Sequence, residues 1–368
     1  MDGGAIIRAV MALSGGMDST GLLLSLLAEG YHVTCISYEY GQKHSIEVER
    51  AKVNIQYLSE HGIFVGHEVI DLKSAFSSLQ SALTTDSILV PEGHYEEEQM
   101  KSTVVPNRNA IFASILYGYA LSISATEDSD VVIALGVHSG DHAIYPDCRP
   151  EFYDSIEKSF ALGNWGSDRI SMKLPYINQD KVYILRDSIN NCNHLGLDFD
   201  TVFRNTNTSY NPDESGISSG KSGADIERIL AFNSIGRRDP LEYIDTWENV
   251  LENALKHKLR HHVMKENGTE RPFTGLYDKH YDSGVYNCAD CGQTLFSSKS
   301  KFDSGCGWPA FSDEFQNANI EKLVDNSHGM TRIEVRCSEC DSHLGHLFHE
   351  SKGPRYCINS ICLEFMEE

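Results

Sequence analysis

Two Cys-x-x-Cys pairs, Cys288-Ala-Asp-Cys291 and Cys337-Ser-Glu-Cys340, stand 45 residues apart. Each pair has the spacing of a zinc knuckle, and together they supply four thiolates for one closed tetrahedral site. The separation exceeds that of an ordinary zinc ribbon, so the intervening chain must form a sheet that returns one pair to the other. Two redox dithiols, or four buried thiols, are the other readings of the same residues. Seven of the ten cysteines lie between Cys288 and Cys362. The first residues lack the charged and apolar segments of a secretory signal, so metal or redox chemistry is expected there rather than disulfides. No apolar run approaches the roughly 18 residues of a membrane span, and a soluble cytoplasmic chain is expected.

Upstream the pattern is different. Strand candidates at Ile6–Leu13, Tyr31–Tyr38, Gly66–Leu72 and Val131–Val137 alternate with helix candidates at Ser19–Glu29, Ile46–His61 and Arg108–Ser124. That alternation predicts an α/β fold, a doubly wound parallel sheet covered on both faces. Asn205–Gly223, rich in Ser, Asn and Gly, is expected to be a loop or locally disordered. Leu241, Ile244, Trp247, Val250, Leu251 and Leu255 recur at helical spacing and predict a connecting helix over 241–258. Beyond it, short runs punctuated by Gly, Pro and Cys predict a small all-β, zinc-stapled domain of two antiparallel sheets. The expected domains are 1–240 and 259–368. Acids number 53 and bases 31, a net charge of −22. Neither half has the basic surplus that gripping a phosphate backbone requires, so no direct nucleic-acid partner is expected.

Ser14-Gly-Gly-Met-Asp-Ser19 follows the first strand and opens the first helix. Glycines let the backbone turn and approach a ligand, and the free amides of a helix start attract anions. Asp18 could hold a magnesium ion bridging phosphates. A plain glycine-containing turn is the competing reading of Gly-Gly alone. Gly-x-x-x-x-Gly-Lys is absent here, so a Walker-type ATPase is not implied. Lys43, Arg108 and Lys181 are candidates to offset phosphate charge. Asp147 and Arg149 could read an amino-bearing ring edge and a carboxylate.

The string resembles the pyrophosphate loop of ATP pyrophosphatases. Tyr40-Gly-Gln-Lys-His44 with Glu47, Ser81-Ala-Leu-Thr84, Val104-Val-Pro-Asn-Arg-Asn109, Gly136-Val-His-Ser-Gly-Asp141 and Tyr145-Pro-Asp-Cys-Arg-Pro-Glu-Phe152 narrow the resemblance to the 7-cyano-7-deazaguanine synthase family. It implies an adenine-nucleotide-hydrolase-like domain that uses ATP with Mg2+, 7-carboxy-7-deazaguanine and ammonia, and pairs as a homodimer through this domain. The implied ATP-binding residues are Leu13, Ser14, Gly15, Gly16, Met17, Asp18, Ser19 and Thr20. The family ordinarily carries four zinc-binding cysteines near the domain's end. The matching positions here are Ser209, Ser219, Ser222 and Asp225, and hydroxyls do not replace thiolates, so no zinc is expected there. Either the ATP site works without that metal, or the domain has become an ATP-binding sensor or protein-modifying domain without nitrile synthesis.

Outside the paired cysteines stand Cys306 in Gly305-Cys-Gly-Trp308, Cys357 in Arg355-Tyr-Cys-Ile-Asn359, and Cys362, with His343 and His346 nearby in sequence. A thiol near Arg and His can attack an electrophile, and a second thiol can resolve the product. A small buried hydrophobe is the other reading of Cys357, and packing is the expected role of Cys362. Glu270-Arg-Pro-Phe-Thr-Gly275, Lys301–Pro309, His328-Gly-Met330, Arg332-Ile-Glu-Val335, His343–Phe348 and Arg355–Ser360 resemble methionine-R-sulfoxide reductase of the B type. The resemblance implies Cys357 as nucleophile and Cys306 as resolving thiol. Trp308 would cradle the substrate methyl, His346 and Asn359 would polarise the sulfoxide oxygen with His343 beside them, and Arg355 would hold the thiolate. It also implies thioredoxin as reductant, oxidised proteins or peptides as substrates, and one structural zinc on the four paired cysteines.

Overall fold

The structure, a computed structural model, describes residues 7–368 except 44, 45, 86, 92–97, 211, 214, 317 and 352, and leaves out the side chains of Glu98, Gln99 and His328. Ile6 and His44, named above, therefore lie outside the described residues. The chain divides into two compact units, Met1–Ala254 and Leu255–Glu368.

The first unit runs β1 (Arg8–Ala12), α1 (Met17–Ala28), β2 (His32–Glu39), α2 (Ile46–Glu60), β3 (Gly66–Asp71), α3 (Lys73–Phe76), α4 (Arg108–Glu127), β4 (Val131–Ala134), α5 (Pro150–Gly163), β5 (Ile170–Lys173), α6 (Lys181–Leu195), α7 (Phe199–Arg204) and α8 (Gly223–Ser234). Five parallel strands lie in the order β3-β2-β1-β4-β5. Period-two alternation explains the two cores. Ala9 and Met11 of β1 join Val33, Cys35 and the leucines of α1 on one face. Val10 joins Ile36, Ile133 and Leu116 on the other. The chain leaves β1 toward one edge and later returns past it to β4. In such sheets the crevice beyond the strand ends at that reversal is where ligands bind.

The described residues of segment 205–222 form a loop, but one that is not loosely held. Thr206, Asn207, Thr208, Ser209, Ser218 and Ser222 are all buried. Their side chains find buried partners, so polarity here marks a hydrogen-bonded interior and not solvent. The connecting helix also starts later than its spacing predicts. Leu241–Asp245 stays non-helical, tied by a bridge between Tyr243 and Ser218. Thr246 accepts from Asn249 N (3.3 Å), and its carbonyl accepts from Val250 N (3.0 Å), so α9 covers Trp247–Met264. The boundary between the units falls inside α9.

The second unit comprises β6 (Gly284–Cys288), β7 (Thr294–Ser297), β8 (Lys301–Phe302), β9 (Ala310–Phe311), β10 (Ile320–Asp325), β11 (Arg332–Cys337), β12 (His343–Glu350), β13 (Gly353–Ile358) and β14 (Leu363–Glu367). One sheet has the order β10-β11-β12-β13-β9-β8, the other β14-β6-β7. All the pairings are antiparallel. Tyr286, Phe296, Phe311, Val335, Leu344 and Ile358 form its core.

Candidate functional site

Strand register assembles the thiol site. Directly opposed residues of neighbouring antiparallel strands present side chains on one face. Glu334 opposes His346, His346 opposes Cys357, and Cys357 opposes Ala310, just after Cys306-Gly-Trp308. Gly345 lets β12 approach β13 closely, because a Cβ there would lie 2.1 Å from the Cys357 carbonyl. The Sγ atoms of Cys306 and Cys357 are 3.6 Å apart, unbonded, and a modest closing movement would join them. Burial pushes the Cys357 thiol up to about 12, and Cys306 adds to that while Arg355 pulls the other way. Cys357 at rest is therefore a thiol.

Around them, His346 Nε2 lies 2.9 Å from an Asp325 oxygen that also accepts from Arg332 (2.6 Å). His343 is buried, its Nδ1 2.6 Å from Glu334. Burial lowers its pKa against the pull of Glu334. Arg355 donates to Glu350 (2.7 Å) and lies over the Phe348 ring. Trp308 is fixed by Nε1–H donating to the Glu270 carbonyl (3.1 Å).

Asn359 is held by the backbone on two sides. Its side chain is buried, its Oδ1 accepting from Glu270 N (3.1 Å) and its Nδ2 donating to the Leu344 carbonyl (3.1 Å). Through these two bonds it ties β12 to the segment at 270. The buried Glu270 carboxylate completes that strap by accepting from the amides of Ser360 and Ile361. Glu270, Asp325 and Glu334 carried no role in the sequence reading, because their partners lie on other strands and no periodicity marks them. Cys362 is fully buried in the core.

The four paired cysteines converge. Cys288, Cys291, Cys337 and Cys340 hold their sulfur atoms within 4.8 Å of one another, a donor set that could hold a metal ion such as zinc. Both pairs sit where a strand ends, β6 for one and β11 for the other.

In the first unit a pocket opens beyond β1 and β4. Ser14, Gly16, Met17, Asp18 and Ser19 line it, as do Lys43, Arg108 and Lys181. Leu13, Gly15 and Thr20 do not. Leu13 and Thr20 are buried, and Gly15, at φ +85°, lies so close to α2 that a Cβ would meet the Glu47 carbonyl. Lys181 Nζ is 2.8 Å from Asp18 and 2.9 Å from His138 Nε2, with Glu227 at 3.4 Å. Burial opposes the charge on Lys181, and Asp18, Glu227 and Asp141 more than restore it, holding its pKa above the ordinary value. Burial also opposes ionisation of Asp18, but Lys181 and His138 draw its pKa below the usual carboxylate value. Its Oδ1 stays buried without a hydrogen-bond partner. Arg108 donates to Tyr40 Oη (3.3 Å). Burial pushes Glu47 up to about 7 against the pull of Arg108. Glu47 and His138 line this pocket without having been singled out for it, and Glu227 stands behind Lys181.

Asp147 and Arg149 do not line the pocket. Asp147 accepts from Asn109 N (3.3 Å) in the first turn of α4, whose early amides need acceptors. Arg149 is exposed and donates to the His142 carbonyl (2.9 Å).

The family model described as "Queuosine biosynthesis protein QueC" matches residues 8–236. The chain belongs to the QueC family. The "SelR domain" model matches residues 256–367, so the chain joins a QueC domain to a SelR domain. The 7-cyano-7-deazaguanine synthases of Hahella chejuensis and Pseudoalteromonas translucida are 43% and 41% identical to it over 236 residues, which is 64% of this chain and 93% and 98% of theirs. That of Methanoregula boonei is 40% identical over 237 residues, 64% of this chain and 99% of its own. An NMN synthetase structure from Francisella tularensis covers 69% of this chain and 84% of its own at 15% identity and a TM-score of 0.30, too loose a likeness to bear on function.

At the QueC domain's expected zinc positions, Ser209, Ser222 and Asp225 come together, joined by Ser218 instead of Ser219. Ser219 Oγ instead accepts from Lys221 N (3.3 Å). The three hydroxyls of the cluster donate to the Asp225 carboxylate (2.6–2.9 Å), so protons and not lone pairs point inward. These residues do not fit zinc. In the SelR domain the donor set does.

Proposed function

We propose that the protein is bifunctional. Its SelR domain reduces methionine-R-sulfoxide in peptides, and its QueC domain converts 7-carboxy-7-deazaguanine, ammonia and ATP to 7-cyano-7-deazaguanine. The observation that carries the first half is the 3.6 Å separation of the Cys357 and Cys306 sulfur atoms, on one sheet face with His346 and beside Trp308. Cys357 attacks the sulfoxide sulfur, giving up its proton. The sulfoxide oxygen takes a proton, through His346, as the S–O bond passes to Cys357. The products are methionine and a sulfenic acid on Cys357. Cys306 then attacks that sulfur, water leaves, and a disulfide forms that thioredoxin reduces. Trp308 supplies the apolar wall for the methyl group. Arg355 favours the thiolate as it forms, opposing the burial that disfavours it at rest. The four-cysteine cluster holds one structural zinc, consistent with closed thiolate coordination.

In the QueC domain, the loop Ser14–Ser19, Lys181 and Arg108 around one pocket support ATP binding. The loop amides and cations oppose phosphate charge, and the unpartnered Asp18 Oδ1 suits a magnesium ion on the phosphates. The ring carboxylate displaces pyrophosphate from ATP to give an acyl-adenylate. Ammonia expels AMP and leaves an amide. The amide oxygen displaces pyrophosphate from a second ATP, and loss of AMP and protons gives the nitrile. Lys43, which also lines the pocket, fits as a further phosphate contact. No helix among the described residues is long and apolar enough to cross a membrane. We place the chain in the cytoplasm, where its thiols remain reduced.

The test uses the full chain with a methionine-R-sulfoxide peptide and thioredoxin, and separately with 7-carboxy-7-deazaguanine, ATP and ammonia. Cys357→Ser is expected to abolish reduction. Cys306→Ser is expected to leave one turnover and stop thioredoxin-linked recycling. Wild-type reduction by the Cys357 variant refutes the reductase assignment, and absence of AMP release refutes the synthase.

A further inference from the structure

We propose that Asp225 is a positioning residue, the centre of a metal-free clamp that holds one wall of the nucleotide pocket against the phosphate loop. The clamp rests on the ATP-binding reading above for its purpose, but not for its geometry. Asp225 is fully buried in the first turn of α8. Its Oδ1 accepts from Ser218 Oγ (2.6 Å), and its Oδ2 accepts from Ser209 Oγ (2.9 Å), Ser222 Oγ (2.8 Å) and Ser222 N (3.2 Å). All three serines are 2% exposed or less. A buried carboxylate without such donors would be strongly disfavoured. Four hydrogen bonds to one carboxylate therefore gather three chain positions that share no regular secondary structure.

One helical turn on, Arg228 pins the same wall. It is fully buried, pairs with Asp239 (2.6 Å), and donates from NH1 to Thr206 Oγ1 (2.7 Å) and Thr208 Oγ1 (3.0 Å). Asp225 and Arg228 are three residues apart, hence on one face of α8. The segment they grip reaches the loop directly. Asn207 N donates to the Gly15 carbonyl (2.9 Å), and the Asn207 carbonyl would sit 3.3 Å from a Cβ at Gly16. Asn207, Thr208 and Ser209 line the pocket with Ser14 and Asp18. The carboxylate thus gathers the three serine positions through hydrogen bonds, with no metal.

The test compares the full-length wild type with Asp225→Ala, Asp225→Asn and Ser218→Ala. It reads amide hydrogen exchange, equilibrium binding of ATP with Mg2+, and zinc content by mass spectrometry. Asp225→Ala is expected to speed exchange at least tenfold both at Asn207 and in the Ser14–Asp18 loop. It should weaken ATP binding at least tenfold, with exchange across residues 284–367 unchanged. Ser218→Ala should give a smaller change of the same kind, which keeps the test open if Asp225→Ala fails to fold. Asp225→Asn, which keeps size and one acceptor, should recover part of the loss. Unchanged exchange in the phosphate loop, or a second zinc in the wild type, overturns the clamp. Faster exchange with no ATP binding by any form, wild type included, supports the clamp and refutes the ATP reading instead.

Discussion

Removing Cys306 should make Cys357 more reactive. Burial and the neighbouring Cys306 hold Cys357 at about 12, against 9.0 for an ordinary thiol. At pH 8, roughly one molecule in ten thousand then carries the thiolate, against about one in ten for an unperturbed thiol, and iodoacetamide reacts with the thiolate only. Cys357 in the wild type should alkylate on the order of a thousandfold more slowly than an exposed cysteine, with a rate rising tenfold per pH unit and no plateau below pH 9. Cys306→Ala removes one of the two influences that raise the pKa and leaves burial. Alkylation of Cys357 should accelerate several-fold at every pH in that range. Arg355→Ala removes the opposing cation and should slow it. The assay is peptide mass spectrometry of the modified Cys357 peptide over time in the reduced full chain. Wild-type alkylation as fast as free cysteine, with a plateau near neutral pH, refutes the reasoning. It would mean that Arg355, and not burial, governs this sulfur, and that the thiolate exists before substrate arrives.

Glu270→Ala strips two acceptors from the amides of Ser360 and Ile361 and should cost on the order of 3 kcal/mol in urea unfolding of the SelR domain, with a raised KM if the Trp308 support shifts as well. Glu47 binds its proton more tightly in the fold, at about 7 against 4.5. Its contribution to stability is therefore fully present below pH 4.5 and lost as pH rises through 7. Glu47→Gln should flatten that decline, read as melting temperature against pH. If the proposed zinc fills the four-cysteine cluster, a strong chelator should unfold residues 284–367 while near-ultraviolet signals of the QueC domain persist, because its serine–aspartate cluster needs no metal. Loss of both domains together would contradict that separation.

Chemistry that is local in the chain could be read without coordinates. Ser14–Ser19 at a strand–helix junction, Gly305-Cys-Gly-Trp308, and Cys-x-x-Cys twice each carry their reactive groups within a few residues, and backbone geometry alone brings those groups together. Alternation of strand and helix patterns likewise revealed the parallel sheet, because periodicity is a property of neighbours. Polar composition at 205–222 marked a loop but not its burial, since Ser and Asn look alike whether they face water or one buried carboxylate. The helical spacing of Leu241 and Ile244 misled for a related reason: a bridge to Ser218 keeps that stretch extended, and nothing in its own residues announces a partner twenty-five positions upstream.

What only tertiary structure decided is how each reactive group is held. Asn359 bridges two backbone segments, Asp147 caps a helix, and Glu270 bonds amides about ninety residues away. A residue's type states which bonds it can make. Burial and strand register decide which of them it does make, and these follow from long-range packing that loop closure permits but short-range pattern does not encode.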